Sequence, residues 1–228
     1  MAASNTTHNK ALPYASYLAA KKTVDDRALN RHVVDVLRRE IASVPSPRIL
    51  EIGAGVGTMV ARLADWGILK RADYTLLDVD DQSLEQAPRW LGEWAATTGR
   101  TAITNEAGVV TLASSARDEE ITVRRICVDL GEFLAGGRDT PPYDLLIANA
   151  FLDLVDVPAT LPSLFTRLVP NSLFWFSINF DGETIFAPDH PADGALLGVY
   201  HRSMDDRVRN GKPAGDSRSG RHLFTHIP

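Results

Sequence analysis

The stretch ILEIGAGVGT, residues 49–58, leads from aliphatic residues into Glu51 and then places glycines at 53, 55 and 57. A glycine turn that follows a buried strand lets backbone approach part of a nucleotide. The dinucleotide pattern is G-x-G-x-x-G, whose third glycine packs helix on strand while the helix N-terminus faces a pyrophosphate. Here Thr58 stands where that third glycine would be. Glu51, two residues before Gly53, would repel a diphosphate but could accept hydrogen bonds from an ammonium group or a water. The turn therefore favours a ligand with an amino-acid head. Asp78 closes the apolar run YTLLD, 21 residues beyond Gly57. An acid at that point is placed to bind both hydroxyls of a ribose, and Val79 could pack on a base. The alternative for Asp78 is helix capping in DVDDQSLE, a role that Asp80 or Asp81 fits better.

These residues need strands that end where they stand. RILEI, YTLLD, ITVRRICVDL (121–130), YDLLIANA (143–150) and SLFWFSINF (172–180) read as short buried strands. A VVTL strand precedes ITVRRICVDL, and the two could pair as a hairpin. Apolar residues from Val24 to Ile41 form one helical stripe that SVPSP, 43–47, ends. Helices are also expected at Thr58–Trp66, stopped by Gly67, at Ser83–Ala96, near 159–169 and at 192–209. Pro88 should kink the second of these or push its start later. Strands alternating with helices make a mostly parallel sheet with helices on both faces, whose ligands sit at the carboxyl ends of the strands. Asp129 and Asn149 are two further strand-end residues. Asp129 could instead cap a short helix at GEFL, and Asn149 could stabilise a turn.

The bulk numbers narrow the class. The 228 residues are 44% hydrophobic, enough for one sizeable core. A net charge of −5 argues against a general nucleic-acid binder. The last 29 residues carry six Lys or Arg against three Asp, a basic end read first as a solvated helix face. The single cysteine, Cys127, can make no internal disulfide or Cys-based zinc site, and is expected to be buried and inert. No secretory leader is visible and no apolar run reaches ~18 residues, so the expectation is a soluble, cytoplasmic protein without membrane contact.

E-I-G-A-G-V-G-T resembles motif I of the class I S-adenosylmethionine-dependent methyltransferases, and the likeness extends over residues 45 to 181. It implies a Rossmann-like, doubly wound α/β fold and S-adenosylmethionine as cofactor. It further implies that Glu51, Gly53, Ala54 and Gly55 serve the methionine part, Asp78 the ribose, and Val79, Asp129 and Leu130 the adenine. Asn149 then faces the methyl group. The acceptor side is expected from Tyr14 and Tyr17 as a lid, from Asp153, and from His190, which also reads as a surface-turn histidine. Arg218 or Arg221 could hold a substrate carboxylate, and Asp216 or Ser217 could cap a helix. No catalytic residue or metal ligand is assigned. DTPPYD, 139–144, looks like the (D/N)-P-P-(Y/F) signature of nitrogen methyltransferases, but it precedes the fourth core strand instead of following it, so it reads as a rigid strand-entry turn.

The expected organisation is a lid segment at 1–44, a cofactor core at 45–181 and a helical segment at 182–228. The resemblance departs at the C-terminal side, where the usual sixth and seventh strands have no counterpart. A fragment of a longer protein, a trimmed fold, and an open edge covered by a second copy or another partner are the alternatives. The leading reading is methyl transfer to a small molecule, without nucleic acid. A catalytically silent member acting as a binding module is the alternative, and a nicotinamide-dependent oxidoreductase is disfavoured by Thr58 and Glu51.

Overall fold

The computed structural model describes residues 14–136, 141–209 and 211–227, and the side chains of residues 14, 15 and 212 lie outside that description. Seven strands form one sheet: β1 (Arg48–Ile52), β2 (Arg71–Asp78), β3 (Thr101–Thr104), β4 (Val110–Ser114), β5 (Glu119–Cys127), β6 (Tyr143–Asn149) and β7 (Leu168–Ser177). Their spatial order is β3-β4-β5-β2-β1-β6-β7. The run from β5 to β7 is parallel throughout, and β3 and β4 extend it antiparallel at one edge. Chain order reverses between β1 and β6, which makes the crevice beside β1 the expected ligand site of such a sheet. β1 has four successive buried residues, as a strand covered on both faces must.

Helices cover both faces. α2 (Arg31–Ile41), α3 (Thr58–Asp65) and α4 (Asp81–Thr97) supply one apolar cluster, with Leu37, Met59, Leu63 and Leu91 packed on Ile49, Leu76 and Ile147. α6 (Val157–Phe165) and α8 (Ser219–His226) supply the other, where Leu161, Leu164 and Leu223 meet Leu50, Leu77 and Leu146. α5 (Leu130–Ala135) and α7 (Asp193–Asp205) complete the set with α1 (Tyr14–Ala28). No described helix is long and apolar enough to cross a membrane.

Several expectations need correction. The stripe from Val24 to Ile41 is two helices, because the Asn30 side chain accepts from the amides of His32 and Val33 and starts α2 afresh. Pro88 does not delay α4, which starts at Asp81. A proline frees the carbonyl four residues back, and Arg125 Nη1 donates to that carbonyl, Leu84 O, at 2.9 Å. Cys127 is exposed at the carboxyl end of β5, where it is still paired with Asp78. Among the described residues no strand after β7 joins the main sheet; β8 (Val208–Arg209) and β9 (Lys212–Pro213) pair only with each other. The count of seven is reached instead by β3 and β4 at the far edge.

Candidate functional site

A cavity of about 400 Å³ opens at the carboxyl ends of β1, β2 and β5. That lies within the range of small-molecule sites. Five of the residues singled out in the sequence line it: Gly53, Asp78, Val79, Asp129 and Leu130. Its other walls come from Phe151, from α6 through Ala159 and Thr160, and from the β8–β9 hairpin through Arg209.

Asp78 is the organising group. Its Oδ2 accepts from Gly55 N–H at 2.8 Å and its Oδ1 from Asp80 N–H at 2.9 Å. A carboxylate has about four acceptor directions, so each oxygen keeps capacity for a ligand hydroxyl. Asp129 closes the opposite wall. Its Oδ1 caps α5 by accepting from Gly131 N–H at 2.8 Å, and its Oδ2 meets Arg209 Nη2 at 3.1 Å. Capping and wall formation therefore coexist at Asp129, the two roles that its position allowed. Val79 is 53% exposed and presents an apolar surface to the cavity.

The glycine turn is folded back on the protein. Gly53, Gly55 and Gly57 have φ of +67°, +54° and +81°, conformations that cost an L side chain about 1–2 kcal/mol. The amides of Gly53 and Ala54 donate to Leu77 O at 2.9 and 3.2 Å. A Cβ on Gly53 would meet Phe151 Cδ2 at 2.7 Å, and one on Gly55 would meet Leu18 Cδ1 at 2.6 Å. Phe151 and α1 thus sit on the turn, and no local pattern in the sequence signals either contact.

Glu51 lies beneath the turn rather than in the cavity. It is buried and accepts a 2.8 Å hydrogen bond from Tyr74 Oη. Burial pushes its carboxyl up to about 8, against opposing effects of the Tyr74 bond and the Arg62 charge. Burial, then the Glu51 charge, also holds the Tyr74 phenol well above its usual range. Arg62 is itself buried and pairs with Asp26 of α1, which ties the helix over the turn to the carboxylate below it.

The remaining candidates stand outside the cavity. Asn149 Oδ1 accepts from Ser177 Oγ at 2.7 Å and joins the ends of β6 and β7. Tyr14 opens α1 with its side chain outside the described residues, and Tyr17 is half exposed on the same helix. His190 is exposed; its Nδ1 accepts from Ala192 N–H at 3.1 Å and its own N–H donates to Asp193 Oδ2, so it shapes the turn before α7. Asp216 accepts from Arg218 N–H and pairs with His222, while Arg221 pairs with exposed Glu183. Asp153 is partly buried in a 3-10 turn, Leu152–Leu154, just after β6. Among the described residues no group of three His, Cys, Asp or Glu side chains could hold a metal ion.

No family model matches the sequence, and no curated protein does. Solved structures do resemble it. The plantazolicin methyltransferase BpumL in complex with SAH matches at 18% identity and a TM-score of 0.40, over 60% of this chain and 40% of that one. The plantazolicin methyltransferase BamL with a triazolic desmethylPZN analog and SAH matches at 16% and 0.48, over 74% and 52%. The O-methyltransferase TomG from Streptomyces achromogenes, in complex with SAM, matches at 16% and 0.43, over 86% and 80%. The chain spans between 40% and 58% of the plantazolicin enzymes it matches. The likeness to these methyltransferases is one of fold.

Proposed function

We propose that this chain binds S-adenosylmethionine in the cavity at the ends of β1, β2 and β5 and transfers its methyl group to a small-molecule acceptor. The observation that carries the reading is the convergence of Gly53, Asp78, Val79, Asp129 and Leu130 on one cavity of suitable size. The donor set fits a nucleoside. Asp78 keeps acceptor capacity for two ribose hydroxyls, Val79 and Leu130 offer apolar contact to a base, and Asp129 offers an acceptor to an exocyclic amine. When bound, the cofactor supplies a methyl group activated on a sulfonium. Methyl transfer from such a centre is an in-line displacement, so the protein's work is orientation and exclusion of water. Phe151 and Leu18, which cover the glycine turn, are placed to shield that end from solvent. Asn149, held by Ser177, fixes the strand end beyond which the acceptor would lie.

A second reading has observations of its own. The amides of Gly53, Ala54, Gly55 and Gly57 are bonded within the protein, Leu18 and Phe151 occupy the open faces of the turn, and Arg209 already pairs with Asp129. These favour a silent member of the fold that acts through its surface. Calorimetric titration with S-adenosylmethionine, S-adenosylhomocysteine and NAD separates the two. Micromolar binding of the first two and none of NAD is expected. A folded protein that binds none of the three would leave the silent reading.

A further inference from the structure

A buried polar atom without a partner costs about 1–3 kcal/mol, and each such atom in a folded protein needs an explanation. Among the described residues three side-chain atoms are in this state: Asp153 Oδ1, His201 Nε2 and Arg207 Nη1. They come from three separate segments, the turn after β6, α7, and the turn after α7.

Those segments belong to one cap over the ends of β6 and β7. Asp216 N–H donates to Asp153 O at 3.4 Å, Ala214 N–H to Arg207 O at 2.9 Å, and Gly220 N–H to Phe180 O at 3.0 Å. Ser217 binds the Asp205 carboxylate through its amide at 2.7 Å and its hydroxyl at 3.1 Å. The His201 ring stands edge-on to Phe180 with centroids 5.6 Å apart, and Tyr200 stands edge-on to the same ring. Asp153 and Arg207 attract each other, yet they form no ion pair.

The strand ends beneath the cap are strained. Ala150 and Ile178, each one residue past its strand, have φ of +53° and +56°. Such values are uncommon outside glycine and an outlier for a β-branched residue. Strain of this kind collects at ligand sites, where surrounding structure holds it in place.

We propose that Asp153, His201 and Arg207 bind the methyl acceptor, and that the acceptor is a small molecule carrying a carboxylate together with an amino or hydroxyl group. Arg207 Nη1 is a cationic donor and calls for an anionic acceptor, which a planar carboxylate suits. Asp153 Oδ1 calls for an N–H or O–H donor. His201 Nε2 can serve either group according to its tautomer, and Phe180 and Tyr200 supply an apolar wall. The assignment rests on the methyl-transfer reading, which puts the acceptor beyond Asn149.

The test titrates the full chain with the free α-amino acids and their 2-hydroxy analogues, alongside the carboxamide and N-acetyl forms. Each is measured with and without S-adenosylhomocysteine. At least one free acid should bind, and its carboxamide at least about tenfold more weakly, the worth of a lost charge-assisted hydrogen bond. Arg207→Met and Asp153→Asn should weaken that binding by a similar factor, and Arg207→Lys by less. S-adenosylhomocysteine affinity should be unchanged in all three. Because the orphaned atoms make no hydrogen bond within the protein, Arg207→Met and Asp153→Asn should cost the ligand-free chain no more than the attraction between the two charges, and its melting temperature should fall less than the loss of binding would imply. Equal binding of acids and carboxamides, no binding by any member, or lowered melting temperatures with binding intact would overturn the site. Absence of S-adenosylhomocysteine binding by the unaltered chain would instead overturn the cofactor reading, and it is read in a separate titration.

Discussion

The ends of β2 and β5 and the ends of β6 and β7 lie along the same edge of one sheet and are built on opposite plans. At the first pair the polar groups are satisfied within the protein, mostly by local backbone. Asp78 takes the amides of Gly55 and Asp80, and Asp129 takes the amide of Gly131 and the Arg209 guanidinium. At the second pair two non-glycine residues are held at positive φ, and the cap above them holds all three orphaned polar atoms of the described residues. Specificity therefore has a different origin in each region. The first needs only to present spare lone pairs from a preorganised frame. The second carries a cost that a partner would relieve.

The first region should give the greatest response to substitution. Asp78→Ala removes two charged acceptor contacts, and S-adenosylmethionine binding should fall by about 100-fold in calorimetry, on the scale of two charge-assisted hydrogen bonds at about 1.5 kcal/mol each. Unchanged affinity would make Asp78 a turn residue only.

Gly53→Ala should follow. It adds the cost of positive φ to a collision with Phe151, about 2–5 kcal/mol of stability together. Gly67 is the control, with φ +65° and open space within 4 Å of where a Cβ would stand, so Gly67→Ala should cost only about 1–2 kcal/mol. Denaturant unfolding of both variants reads the difference. Equal losses would show that Phe151 yields freely.

Glu51, beneath the first region, is read through pH. Its folded carboxyl is raised from 4.5 to about 8, so between those values the unfolded chain has released a proton that the folded chain keeps. Its contribution is complete below about pH 4.5 and is lost as pH rises through 8, with a limiting slope of about 1.4 kcal/mol per pH unit. Glu51→Gln should flatten melting temperature against pH over that window and should be the more stable protein at pH 8. Parallel profiles for the two proteins would contradict this.

The smallest change is expected outside both regions. Asn30→Ala removes the cap that separates α1 from α2, and should cost about 1 kcal/mol in equilibrium unfolding.

What is legible in the sequence is what short-range chemistry fixes. The run into Glu51 and the spacing of the glycines define β1 and its turn, and the acids closing YTLLD and CVDL mark the walls of the cavity. β3 escapes such a reading because TAIT lies at an edge, three of its four residues exposed, and so has no apolar periodicity. The break at Asn30 is hidden by a stripe that runs on through it. Pro88 reads as a reason for a later helix start because its compensating donor, Arg125, lies 41 residues from the freed carbonyl. Arg209, His201 and Arg207 reach their places only through the packing of the last segment on the sheet, and no local pattern announces such contacts.

Everything proposed for the first region depends on the cavity edged by Gly53, Asp78 and Asp129 holding the cofactor. Hydrogen–deuterium exchange of the full chain, with and without S-adenosylhomocysteine, is the decisive experiment. Slowed exchange confined to residues 53–57, 78–81 and 128–131 is the predicted result. Binding that leaves these amides unchanged, or protects a different face of the sheet, would contradict it.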